Sequence, residues 1–272
     1  MVWVLKHSGE REHFDIRKVE YALKRSGAGE KLARKISKLV DSEIYDGIPT
    51  AKVYKLAFDH LNQHDISSAH RFGLKLAIMR LGPTGYPFEK YIARVLAEHG
   101  YATSTNQMLA GCDVNHELDV VAEKDGKVYM VECKYHNQFG YASGLKEAMY
   151  THARYLDLVD AGNDFECAWL ATNTKITSEA IAYGLGKGMR FTAWGYPADE
   201  NLQRLIEGEY MYPVTILRRV EDDIKDRLID NGFITIMDLI EATPEVLSKS
   251  CRISSKKVRR LKAELDEIRL HA

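Results

Sequence analysis

The chain reads as a mixed α/β protein, with a helical part before its sheet and a helices-only part after it. Three observations predict this. Helical and extended segments alternate between Phe88 and Trp194, the pattern of a layered α/β domain. Asp125-Gly126 lies between two runs rich in β-branched and apolar residues, the strongest short-range signal for a two-residue hairpin turn. Gly82-Pro83-Thr84-Gly85-Tyr86-Pro87 is the clearest linker, and beyond Pro213 the texture is helical alone. The domains expected are 1–82, 86–212 and 213–272.

The first part opens on a strand over Val2 to Leu5, with a turn at Gly9. Asp15 suits the cap of a helix running to Arg25, and a second helix follows from Glu30 to Glu43. Asp46-Gly47-Ile48-Pro49 is a loop, and Thr50 is placed to cap a third helix ending near His64. Ser67 or Ser68 starts a fourth, through about Arg80. In the middle part, Phe88, Ile92, Val95 and Leu96 have helical spacing. A strand near Tyr101 to Thr105, the hairpin, a helix over Leu145 to Asp160 and a strand over Phe165 to Thr172 follow. A helix from Ser178 to Gly186 and a strand from Met189 to Trp194 close it. Asp222 to Asn231, Thr235 to Ala242, Thr243 to Lys249 and a last segment to Leu270 are helical.

The 272 residues exceed one typical domain of ~100–200. A net charge of −1 predicts no overall attraction to a polyanion, so nucleic-acid contact has to come from local patches. Cys112, Cys133, Cys167 and Cys251 form no C-x-x-C pair, which argues against structural zinc and a disulfide framework and fits a reducing cytoplasm. No apolar run approaches the ~18 residues that would span a membrane, and Met1 to His7 is too poor in apolar residues for a secretion signal.

If the two-residue turn forms, Lys124 pairs with Lys127, Asp119 lies opposite Glu132, and Glu117 lies opposite Lys134. Glu132 and Lys134 are two apart and share a face. Directly opposed residues have Cβ atoms about 5 Å apart, and like charges so placed repel. A divalent cation would account for the pair. Leu118, Val120, Val131 and Cys133 are expected on the other face, which is apolar throughout. Phosphodiester cleavage with Mg²⁺ needs carboxylates for a hard cation, a metal to activate water, and a cationic group for the charged phosphate. Asp119, Glu132 and Lys134 supply that set.

Asp119 followed by Glu132-Cys133-Lys134 resembles the motif of PD-(D/E)xK nucleases, especially the Mrr-like restriction endonuclease branch. Phe88-Glu89-Lys90-Tyr91 and Gly100-Tyr101 match that branch's glutamate-bearing helix and its Gly-aromatic exit. Trp169 to Asn173, through Ala180, is similar to its strand-then-helix half, so the resemblance covers about 85–212. It implies a restriction-endonuclease-like mixed sheet and an endodeoxyribonuclease dependent on Mg²⁺ or Mn²⁺. Asp119, Glu132 and Glu89 would hold the metal, Lys134 would serve water or phosphate, and a homodimer would cut both strands. The family's Pro or Gly before the aspartate is replaced by His116-Glu117-Leu118. Glu117 is either a further ligand or a partner of Lys134, with the ion pair preferred. His136 and Gln138 continue the Lys134 face and either approach phosphate or are ordinary exposed residues. Arg154 is a candidate phosphate contact, and His152 has no assigned role.

Residues 2–82 resemble an ATP-cone through Val4-Leu5-Lys6-His7, Gly9, Glu12, Phe14-Asp15, Lys18, Ala22-Leu23, Ile48-Pro49-Thr50 and Val53-Tyr54. That implies ATP or dATP as effector, held by Lys6, His7, Lys18 and Thr50. There is no Walker-type glycine loop, and His7 stands where the family has Arg or Lys. The tail resembles a helix-hairpin-helix or SAM-like module through Leu228 to Phe233, Thr243-Pro244-Glu245 and Ile253 to Lys257. It implies contact with DNA backbone by Lys256, Lys257, Arg259, Arg260 and Lys262. Cys251-Arg252 occupies the region of the second glycine usual in such hairpins. Two other readings are a non-cleaving, nucleotide-responsive DNA-binding regulator and a nuclease of repair or junction processing.

Overall fold

The structure is a computed structural model that describes residues 2–6, 9–138 and 140–270. It divides into two compact units, one made of Met1–Ala77 with Arg259–Ala272 and the other of Ile78–Val258. The mixed α/β class holds. The first division falls within a few residues of the expected linker. No division falls at 212/213: residues 213–258 belong to the same unit as the sheet.

In the first unit, β1 (Trp3–Leu5) and β2 (Arg11–His13) run antiparallel, and β3 (Ile48–Pro49) lies parallel to β1 on its other side. Sequence reading expected one strand here. β2 and β3, of three and two residues, are too short to show alternation. α1 (Ile16–Arg25) starts where the Asp15 carboxylate accepts from the Arg17 amide at 3.0 Å, as its sequence predicts. α2 (Glu30–Glu43), α3 (Thr50–Asn62) and α4 (Ile66–Ile78) follow. Thr50 is the first helical residue rather than the cap, because Pro49 holds the extended cap position. Asp65, not a serine, caps α4: it accepts from the Ser68 amide at 2.9 Å and the Ser68 hydroxyl at 2.6 Å. Leu23, Ile36, Val40, Ile48, Ala57 and Leu61 make the core of this unit.

The second unit runs α5 (Tyr86–Glu98), β4 (Ala102–Ala110), β5 (Asn115–Lys124), β6 (Lys127–Lys134), β7 (Ala142–Ser143) and α6 (Leu145–Asp160). β8 (Cys167–Thr172), β9 (Lys175–Ile176), α7 (Ser178–Gly186), β10 (Arg190–Thr192) and α8 (Leu202–Gly208) follow. The main sheet has the order β10-β8-β6-β5-β4. β4, β5 and β6 are antiparallel neighbours, while β6, β8 and β10 are parallel and joined through α6 and α7. β8 is buried along almost its whole length, as a central strand covered on both faces must be. Asp125 and Gly126 take φ of 53° and 74°, the turn their sequence predicts, and Lys124 pairs with Lys127.

The tail continues through a 3₁₀ turn (Val214–Ile216), α9 (Asp222–Asp230), α10 (Ile236–Glu241), α11 (Pro244–Ser250) and α12 (Ser255–Leu270). Thr235 and Thr243 cap α10 and α11 with their hydroxyls. Two contacts hold the chain from Met211 onward to α5. The buried Tyr91 hydroxyl of α5 donates to the Met211 carbonyl at 2.7 Å, and Arg94 of α5 donates to Asp238 at 2.9 Å. Among the described residues, no helix is long and apolar enough to cross a membrane.

Candidate active site

β6 sets the site. Its pleat places Glu132 and Lys134 on one face, and the Lys134 ammonium donates to Glu132 Oε1 at 2.6 Å. Arg154 of α6 donates through Nη1 to Glu132 Oε2 and through Nη2 to the Glu117 carbonyl. Glu132 is 3 % exposed, and these partners satisfy both of its buried oxygens. Arg154 is itself backed by His116, whose Nδ1 lies 3.5 Å from Arg154 Nε and whose Nε2 lies 2.7 Å from Asp157. The expected phosphate contact at Arg154 is therefore a buried anchor that ties the start of β5 to the end of β6.

Asp119 reaches the same place by another route. The β5–β6 ladder ends at Val120↔Val131, so Asp119 does not pair with Glu132, nor Glu117 with Lys134. The register calls for the Cys133 amide to bond to the Leu118 carbonyl. Instead that amide donates to Asp119 Oδ2 at 2.7 Å. The break coincides with an irregularity in β4, where Asn106, between Thr105↔Val120 and Gln107↔Leu118, has φ 53°. Leu118 then packs with Met130, Leu158 and Phe165, parting from the Val120 face on which alternation put it. The preferred Glu117–Lys134 ion pair is replaced by Glu132–Lys134, because the strands separate before Glu117 comes opposite Lys134.

Glu89, in the first turn of α5, is the third carboxylate of the set. Burial pushes its carboxyl up to about 7, reinforced by the charges of Asp119, Glu117 and Glu132. Burial and the Glu132 charge push Asp119 up to about 6, against its bond from the Cys133 amide. Burial opposes the Lys134 charge, but the Glu132 carboxylate outweighs it and the ammonium is held above its usual value. The Cys133 thiol is buried and pushed well up by that burial. Asp119, Glu132, Lys134 and Glu89 thus form one electrostatic unit. Among the described residues no trio of His, Cys, Asp or Glu is gathered closely enough to hold a metal. The oxygens are nonetheless carboxylate, the donors a hard divalent cation takes, and two of the carboxyls are raised by burial first and by negative neighbours second.

The remaining sequence candidates divide. The His136 backbone is held by Asn173, which accepts from its amide at 2.9 Å and donates to its carbonyl at 2.7 Å. Its ring stacks on Tyr141, while Gln138 is exposed. His152 Nδ1 lies 3.0 Å from the Tyr183 hydroxyl, a packing contact with α7. Arg154 had a readable signal that went unused: it falls on the buried stripe of α6 with Ala148, Thr151 and Leu158, where an arginine needs an acidic partner. Asn173 left no signal before the strand ends were known.

In the first unit, Lys6 and Lys18 converge on Glu12, with Lys6 at 2.8 Å. These ammonium groups, Lys18 foremost, pull the Glu12 carboxyl down to about 2. The parallel pairing ends at Leu5↔Pro49, and Thr50 opens α3. His7 lies outside the described residues. In the tail, Gly232 has φ 86° and Arg252 has φ 52°, so Arg252 adopts the left-handed conformation a second glycine would take more readily.

A family model described as AF1548-like, C-terminal, matches residues 212–269. An uncharacterized protein of Archaeoglobus fulgidus is 43% identical over 177 residues, spanning 65% of this chain and 99% of that one. The crystal structure of the protein of unknown function AF1548 shares 40% identity and superposes with a TM-score of 0.62, covering 70% of this chain and all of that one. A structure of Can2 from Sulfobacillus thermosulfidooxidans in complex with cyclic tetra-adenylate is 15% identical, with a TM-score of 0.36 over 74% of this chain and 64% of that one, too low a likeness to carry an argument. Identity above 40% across nearly the whole of the Archaeoglobus protein, with the matching tail model, makes this chain a member of the AF1548-like family.

Proposed function

We propose that the protein is a Mg²⁺-dependent DNA endonuclease of the PD-(D/E)xK kind, with a nucleotide-sensing cone at its N-terminus and a DNA-gripping tail. The observation that carries the reading is the convergence of Asp119, Glu132, Lys134 and Glu89 where β5 and β6 part. A helix bearing a glutamate before the sheet, and a strand-then-helix pair after it, are the surroundings the motif calls for. Asp119 and Glu132, with Glu89, would hold Mg²⁺ or Mn²⁺, which supplies Lewis-acid activation of water and phosphate when bound. Lys134 orients the attacking water or meets the charge growing on the phosphate. Arg154 holds Glu132 in place through its bond to Oε2. Lys6, Lys18 and Thr50, with His7, are the set for ATP or dATP, and two copies of the chain would supply the two sites a double-strand break needs.

The test is nicking or linearisation of plasmid DNA with Mg²⁺. Glu132→Ala or Lys134→Ala protein that cleaves as well as the parent ends this mechanism. One observation favours a second reading, a DNA-binding regulator that does not cleave: both Glu132 oxygens are engaged by cationic side chains. Calorimetry with Mn²⁺ separates the two, since a binding-only protein takes up no cation at these carboxylates. A panel of nicked, branched and intact DNA distinguishes restriction from repair or junction processing.

A further inference from the structure

Beside the carboxylates stands a group that the folded core does not require. Tyr150 on α6 is 54% exposed, yet its ring centre lies 5.4 Å from Lys134 Nζ and 5.5 Å from Arg154 Cζ. Ala148 and Thr151 of the same helix are fully buried, so the helix fixes where the ring stands. A second ring, Tyr141, is 53% exposed and stacks on His136, two residues beyond Lys134, with centroids 5.6 Å apart and planes 12° from parallel. The exposed Tyr150 ring therefore stands beside the Lys134 ammonium, and the exposed Tyr141 ring stacks on a residue further along the same segment.

Cations beside the carboxylates are enough to hold a phosphate. Exposed rings add a surface for a flat apolar partner, and the flat partner next to a DNA phosphate is a base. In an intact duplex both faces of a base are already stacked. A protein ring can take its place only on a nucleotide that is unpaired or turned out of the helix.

Resting on the nuclease reading above, we propose that Tyr150, with Tyr141, is a base-stacking platform, and that the site takes DNA with unpaired nucleotides at the scissile phosphate rather than intact duplex. Tyr150 then acts as a specificity-determining residue. Its ring, not its hydroxyl, carries the effect.

The experiment compares one labelled DNA strand presented alone, as the arm of a forked duplex, and fully paired. Binding is followed by anisotropy in Ca²⁺, and cleavage in Mg²⁺, for the parent, Tyr150→Ala, Tyr150→Phe and Tyr141→Ala. Tyr150→Ala should weaken binding to the single strand and the fork by roughly 5- to 150-fold, the loss of one base–aromatic stack, while Tyr150→Phe stays near the parent. Tyr141→Ala should give a smaller loss in the same direction. Equal binding of Tyr150→Ala and parent to the unpaired substrates overturns the proposal, as does a Phe variant as weak as the Ala variant. A parent that prefers intact duplex, with Tyr150→Ala unchanged, overturns the platform and leaves the nuclease reading standing. A parent that neither binds nor cuts any of the three ends both.

Discussion

Replacing Arg154 with methionine removes the side chain that joins Glu132 to the Glu117 carbonyl. Glu132 is 3 % exposed, so water does not replace the lost partner. Breaking a buried ion pair from one side costs about 3–5 kcal/mol, because a desolvated charge is left behind. Lys134 remains 2.6 Å from Glu132 Oε1, which places the expected loss near the lower end, about 3 kcal/mol. Urea unfolding at pH 7.5 measures it as a fall in the transition midpoint at unchanged slope. Adding Glu132→Gln removes the stranded charge, so the double variant should regain about 1–2 kcal/mol over Arg154→Met alone. A loss under about 1 kcal/mol, or a double variant no more stable than Arg154→Met, would refute the claim that Arg154 is the anchor of Glu132.

Three further outcomes are expected. Glu89 and Asp119 have carboxyls raised to about 7 and about 6, so between roughly pH 4 and 7 the folded state binds more protons than the unfolded one. Stability is unaffected by them below pH 4 and falls as pH rises through that window, so Glu89→Gln or Asp119→Asn should be more stable than the parent at pH 8, by on the order of 1–2 kcal/mol after solvent screening, and equal to it at pH 4. Thermal unfolding across pH checks the sign, and millimolar Mg²⁺ should give the parent a gain that Asp119→Asn loses. Glu12 occupies Lys6 and Lys18, so Glu12→Gln should tighten ATP or dATP binding measured by calorimetry, and Lys18→Met should weaken it. A Cβ on Gly184 would run into the Phe191 ring, so Gly184→Ala should cost about 1–3 kcal/mol by overpacking, read from the same urea curves.

Most of the architecture was legible because it rests on local rules. The Asp-Gly turn, the Asp15 cap and the extents of α2, α6 and α7 follow from residues close in sequence. α8 and the two-residue strands β7 and β9 escaped notice, since segments so short carry no period. Asp119, Glu132, Lys134 and Glu89 were legible as candidates, but their geometry was not. A hairpin register extrapolated from its turn assumes that pairing continues, and here it stops after Val120↔Val131. The stop coincides with Asn106 on β4, a strand whose position beside β5 no local rule supplies. The joining of residues 213–258 to the sheet unit was hidden for the same reason: Arg94 and Asp238 are 144 positions apart.

The bond from the Cys133 amide to Asp119 has a consequence for how the site can change over time. Asp119 works as a wedge: its carboxylate takes the donor with which the two strands would otherwise zip one pair further. Truncating it to alanine would free that amide for the Leu118 carbonyl. At this position the side chain therefore sets where the strand pairing ends as well as a charge, so a change of residue there alters the course of the backbone and not the electrostatics alone.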